Sequence, residues 1–232
     1  MMKKVTPSRG QYLLFFCILI LPGCASQWEK IEKEQFFKGP GRAYTVVLPT
    51  GWNRAPTTDS DHLVLSKDGL SLNQISIYRF DLDKAFPDVP ETRRFKSSDW
   101  DTTPLDTLAN YQARQLRSDL KVRMEKEKPD EEGFLSAFAV IDSLPSPASV
   151  EQLDISPAVI DNRPSFRLDT TSLNSWGLRY RTASYGLFHE GDYWLIQYSA
   201  PELNEWNKNR PTFERFLNTL QFKKKCVLFC SD

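Results

Sequence analysis

The chain has 232 residues, of which 30 are basic and 30 acidic, so its formal net charge at pH 7 is zero. That balance excludes a general electrostatic attraction to nucleic acid or to polycations. Hydrophobic residues make up 40% and aromatic residues 12% of the chain, which is enough apolar material for one packed core and excludes a disordered polymer.

Lys3, Lys4 and Arg9 precede an apolar run from Tyr12 to Leu21, about half the roughly 20 residues that a membrane-spanning helix requires. Positive residues, a short apolar segment and a small residue at its end form the pattern of a secretory signal peptide. The run closes on Leu21-Pro22-Gly23-Cys24, which resembles the bacterial lipobox. That resemblance implies removal of residues 1–23, diacylglycerol on the Cys24 thiol and an acyl chain such as palmitate on the new amino group. Sulfur suits the task because a thiolate is a good nucleophile. Each buried methylene contributes about 0.8 kcal/mol, and two or three acyl chains hold a domain at a membrane where one does not. Ala25 rather than Asp follows the cysteine, which in the lipoprotein pattern favours the outer membrane, facing the periplasm, where the host is Gram-negative. The alternatives on these residues alone are an ordinary signal peptide or a buried helix that carries a cysteine.

Residues 28–37, "WEKIEKEQFF", mix charge and apolar groups at no clear period. They fit a short helix or a leading strand, and residues 24–41 are taken as a lipidated tether. From Tyr44 the signals sharpen. "YTVVLPTGW" is β-branched and ends at Pro49 and Gly51, a strand and a turn. "HLVLS" (62–66), a Lys67-Asp68-Gly69 turn and "LNQISIYRF" (72–80) add two strands, so the three read as an antiparallel meander. Residues 81–102 are polar, with Pro87 and Pro90, and read as loop. Thr103-Pro104-Leu105-Asp106 starts a helix, with Thr as cap, Pro at the first helical position and Asp reaching back. Leu105, Leu108, Ala109, Gln112, Leu116 and Leu120 form its sheet-facing stripe.

An exposed insertion is expected over about 129–149, ending in "LPSPAS". Strands follow over 150–160, 164–171, 178–188 and 193–200. The last two flank a Glu190-Gly191-Asp192 hairpin turn. "YWLIQYSA" is almost continuously apolar, which predicts a central strand covered on both faces. A second helix is expected between Glu202 and Leu220, restarting at Pro211, with Phe213, Phe216, Leu217 and Leu220 as its apolar stripe.

The order of these pieces is specific: Leu-Pro-x-Gly-Trp (48–52), "LSKDG", a helix after "TPLD", Arg-Pro-x-Phe-Arg-Leu (163–168), "GDYWLIQYSA" and "FERFLNTLQF". It resembles the Mog/PsbP-like fold, a group that includes a photosystem-associated lumenal subunit, a Ran-binding import factor and the envelope lipoprotein DcrB. The resemblance covers residues 42–222 and implies an α+β domain, an antiparallel β-sheet sandwiched by α-helices. Residues 223–232 are then a tail.

Chemical motifs are sparse. His62 and His189 are the two histidines, the side chains able to shuttle protons at neutral pH, and both read as solvated loop groups. No nucleophile elbow, zinc-protease helix or phosphate-cradling glycine loop occurs. Asp81-Leu82-Asp83 and Asp99-Trp100-Asp101 lack the following Gly and Glu of a calcium loop. No cofactor or metal is implied.

Cys226 and Cys230 are the thiols left once Cys17 is removed with the signal and Cys24 is acylated. In an extended strand they stand about 13 Å apart, whereas a bridge needs roughly 4.4–6.8 Å between Cα atoms. A disulfide therefore requires a turn or helix there, and free or intermolecularly paired thiols are the alternative. Lys223, Lys224 and Lys225 beside them read as a solvated tail, or as a contact to anionic lipid.

These readings favour a non-enzymatic, membrane-anchored envelope lipoprotein whose domain binds a protein partner in assembling or maintaining an envelope complex. A binder of a small ligand or lipid, with an apolar pocket between sheet and helix, is the alternative. A hydrolase using His62 or His189 comes last.

Overall fold

The computed structural model describes residues 28–56, 62–69, 72–81, 85–87, 89–90, 103–126, 147–174 and 178–223. Its eight-stranded antiparallel sheet has the order β1-β4-β5-β6-β10-β9-β8-β7. In chain order these strands are β1 (Glu29–Lys30), β4 (Asn53–Arg54), β5 (His62–Ser66), β6 (Gln74–Asp81), β7 (Pro147–Ile160), β8 (Arg163–Asn174), β9 (Arg179–His189) and β10 (Asp192–Pro201). A second, three-stranded sheet is ordered β11-β3-β2, from β2 (Gln35–Lys38), β3 (Tyr44–Leu48) and β11 (Gln221–Phe222). The α-helices among the described residues are α1 (Leu105–Lys126) and α2 (Glu205–Thr219).

Strand β10 organises the molecule. It lies between β6 and β9, and its side chains alternate between two interiors because successive residues of a strand point to opposite faces. Tyr193 and Leu195 join one core with Phe86, Leu108, Ala109, Phe166 and Leu168, beneath the start of α1. Trp194, Ile196, Tyr198 and Ala200 join the other, with Trp206, Phe213 and Phe216 of α2 and with Tyr44, Val46 and Leu48 of β3. Through Ile196 the strand is buried on both faces, so "YWLI" has no polar side to alternate with, whereas beyond it half-buried Gln197 and Ser199 alternate with buried Tyr198 and Ala200. The expected antiparallel sheet between helices is thus observed, with α2 and the small sheet sharing one of the two covering layers.

Two hairpins fix the register of the large sheet. Glu190 and Gly191 link β9 to β10, and Asp161 and Asn162 link β7 to β8. All four central residues have positive φ (54°, 80°, 49° and 58°), as a type I′ turn demands.

Four expectations are corrected. Residues 28–38 are not a tether: β1 pairs with β4, β2 pairs with β3, and Ile31 between them is buried. The Ile31 N–H donates to the Trp52 carbonyl at 2.8 Å, and the Gly51 N–H donates to the Ile31 carbonyl at 2.8 Å. Two very short strands in different sheets leave no common period. The meander is incomplete, because β3 belongs to the small sheet and the partner of β5 on that side is β4. The last helix does not restart at Pro211, which lies inside a continuous α2. Strand β7 starts at Pro147, inside the stretch read as insertion.

The stripe of α1 is largely as expected. Leu108, Ala109 and Gln112 are buried and Leu105 packs against the core, while the Leu116 and Leu120 side chains lie outside the described ones. The helix begins at Leu105, the Leu108 N–H donating to the Pro104 carbonyl at 3.1 Å. The Asp106 carboxylate accepts from the N–H of Thr107 at 2.9 Å.

Candidate functional site

The face of the large sheet that carries α1 is divided in two. One half is aromatic: the Tyr193 ring lies 4.8 Å from Phe86, 5.1 Å from Phe188 and 6.2 Å from Phe80, centre to centre. The Tyr193 hydroxyl donates to Gln112 Oε1 of α1 at 2.9 Å in a buried bond that pins helix to sheet. Burial holds this phenol well above its ordinary pKa.

The other half is polar. The registers align Ser76, Gln197 and Ser184 in one cross-strand row, and Ser66, Gln74, Ser199, Thr182 and Thr170 in the next. Thr182 Oγ1 donates to Ser199 Oγ at 2.9 Å, and Gln197 Nε2 donates to Ser184 Oγ at 2.8 Å. In the following row the Tyr180 hydroxyl is buried and has no hydrogen-bond partner among the described residues. Burial, with the carboxylate of Asp68 adding to it, pushes the Tyr180 phenol up to about 12.

Helix α2 is flanked by two clefts, of about 500 Å³ and about 490 Å³. The first lies against the β7–β8 turn, between Asp161, Tyr185, Glu214 and Leu217. The second lies against β3, between Val47, Pro49, Arg215 and Thr219, and Asn218 lines both. Around the first cleft the charges are paired. Arg167 Nε lies 2.7 Å from Asp169 Oδ2, and Arg210 Nε lies 2.8 Å from Glu214 Oε1. Burial opposes the charge on Arg167, yet its bond to Asp169 and the neighbouring acidic groups outweigh that, so its pKa is raised. The Arg167 guanidinium sits 5.7 Å from the centre of the Tyr185 ring, and Asp161 Oδ2 accepts from the N–H of Phe222 at 2.9 Å, tying the turn to β11.

The structure does not bring the two histidines together. His62 lies on the α1 face, its ring 5.1 Å from that of Tyr78. His189 lies on the α2 face, its ring 5.4 Å from Phe222 and its Nε2 3.0 Å from the carbonyl of Lys223. Both sit at strand ends and are half-buried rather than in solvated loops. Among the described residues no three His, Cys, Asp or Glu side chains form a metal-holding group. The Trp and Phe residues of α2 are core: Trp206, Phe213 and Phe216 are buried. Cys24, Cys226, Cys230, Lys224, Lys225, Asp83 and residues 99–101 and 129–146 lie outside the described residues.

Sequence reasoning missed the polar half-face. Its residues are scattered over 66–199, and only the pairing of five strands assembles them. The available signal was the Gln197-x-Ser199 and Thr182-x-Ser184 alternation inside otherwise apolar strands.

No protein-family model and no curated protein matches the chain. Among solved structures it is similar to the cyanobacterial PsbP of Synechocystis, with TM-score 0.49 and 11% identity over 88% of this chain and 99% of that one. It is also similar to the Ran-binding protein Mog1p of Saccharomyces cerevisiae, with TM-score 0.40 and 11% identity over 82% of this chain and 96% of that one. A third similar structure, from Bacteroides thetaiotaomicron, has TM-score 0.45 and 11% identity over 84% of this chain, which spans 50% of that protein's length.

Proposed function

We propose that the protein is a non-enzymatic, membrane-anchored envelope lipoprotein that binds a protein partner in the assembly or maintenance of an envelope complex. The carrying observation is the order of charged residues, apolar run and Leu21-Pro22-Gly23-Cys24 at the N-terminus. Glu29, the first residue of β1, follows Cys24 by five positions, so even a fully extended connection spans at most about 17 Å. A domain on so short a leash meets partners at the membrane surface. The flanks of α2, with two clefts and paired charges at their rim, offer the shape such a partner would grip.

The test is membrane fractionation and intact-mass measurement, followed by crosslinking in cells. The expected result is a diacylglycerol- and acyl-modified N-terminus at Cys24, loss of membrane association in Cys24→Ala, and a stoichiometric envelope protein recovered with the anchored form. An unmodified soluble chain would overturn the anchor, and a lipid or small molecule recovered without a protein would overturn the partner reading.

A further inference from the structure

Strand β2 turns its two aromatic residues to opposite sides. Phe37 packs on the core, whereas Phe36 is 79% exposed, the most open large apolar side chain among the described residues. A strand needs apolar residues on its covered side only, so a polar residue would serve at position 36 if that side met nothing but water. Around Phe36 the outward face of the small sheet is completed by Lys38 on β2, Thr45 and Val47 on β3, and Gln221 on β11. Lys223, exposed and next in outward alternation after buried Phe222, adds a second ammonium, and Lys224 and Lys225 follow it in the sequence. Glu34, at the border of this face, lines the second cleft together with Arg215.

The chain enters the domain beside this face. The Arg54 guanidinium is ion-paired with Glu29 of β1 and sits 5.3 Å from the centre of the Phe37 ring, so one side chain spans from the start of β1 to β2. Cys24 precedes Glu29 by five positions, and an acylated Cys24 therefore holds this corner of the molecule within about 17 Å of the bilayer. We infer that the outward face of the small sheet is the membrane-apposed side of the protein and that its partner is an anionic phospholipid surface. Phe36 enters the boundary between headgroups and acyl chains, and the lysines meet headgroup phosphates. The inference rests on the anchoring reading above and leaves the first cleft, on the other flank of α2, to a protein partner.

The experiment places the acylated chain in nanodiscs of equal parts phosphatidylglycerol and phosphatidylcholine that carry a lipid with a nitroxide headgroup, and reads amide line broadening. Amides of residues 36–38, 45–47 and 221–223 should broaden several-fold more than those of α1, which lies on the opposite face of the large sheet. Combining Phe36→Ser with Lys38→Gln and Lys223→Gln, all at exposed positions, should remove that preference. Leu203→Ser, which takes a side chain 75% exposed from just before the N-terminus of α2, should leave it intact. Broadening that is uniform or centred elsewhere overturns the assignment, as does its survival in the triple variant. Capture of a protein or of a second copy by a photo-crosslinker at position 36 in cells also overturns it. Intact mass keeps the two readings apart: a chain unmodified at Cys24 fails the anchor itself, whereas an acylated chain without a preferred face fails this inference alone.

Discussion

Gly186 sits on β9 opposite Phe166 and Leu195, and a side chain there would fall inside contact distance of the Phe166 ring and the Tyr193 hydroxyl. Its φ is not the constraint; the space is. Gly186→Ala should therefore destabilise by about 1–3 kcal/mol, the usual range for overpacking a filled core, read as a lower denaturation midpoint at unchanged denaturant dependence. The tyrosines make a second residue-scale prediction. Burial raises the phenol pKa values of Tyr44, Tyr193 and Tyr198 and takes Tyr180 to about 12. A phenol whose folded pKa exceeds its unfolded value near 10 favours the fold fully below pH 10 and loses that contribution as pH rises through the folded values. Thermal stability should accordingly drop between pH 10 and 12, with the phenolate absorbance of these four buried tyrosines appearing together with unfolding rather than before it.

At the level of elements, the β7–β8 hairpin is the informative case. Both of its central residues hold positive φ, a region that costs most residues about 1–2 kcal/mol and glycine nothing. Asn162→Val should lower stability by about that amount, while Asn162→Gly should leave it unchanged or raise it slightly, as urea melts of the two variants would show. This turn went unread in the sequence because Asp161-Asn162 lacks the glycine that marks Glu190-Gly191, although Asp and Asn tolerate the left-handed region better than other side chains. Strands β5, β9 and β10 and the stripe of α2 were legible for the opposite reason: each buries enough of a face to leave a clear apolar pattern. Strands β1 and β2 were not, because pairings of two and four residues are dictated by the partner strand rather than by any periodicity of their own. Pro211 misled because a helix interior usually excludes it, yet α2 continues through it with Asn209 and Phe213 buried on either side.

The whole molecule shows the limit of linear reading more plainly. The identity of its central strand could be read along the chain, from the long apolar run of β10, whereas its layers were implied by the family resemblance rather than by periodicity. The polar half of the α1 face could not be read, because Ser76, Thr182 and Gln197 become neighbours only once β6, β10 and β9 are set side by side. The first α2 cleft was equally hidden, lying where a helix end meets a turn some fifty residues earlier in the chain.

The alternation along β10 makes that strand a party wall. Leu195 and Ile196 are consecutive in the chain yet live in separate interiors, so truncating either one to alanine should open a cavity in its own interior and cost about 2–5 kcal/mol. Tyr198 and Trp206 share one interior, with rings 4.9 Å apart, and their double truncation should depart from additivity by more than about 0.5 kcal/mol. A protein arranged this way can be remodelled one room at a time: the chamber beneath α1 can exchange residues without consulting the packing of α2, although both lean on the same ten-residue strand.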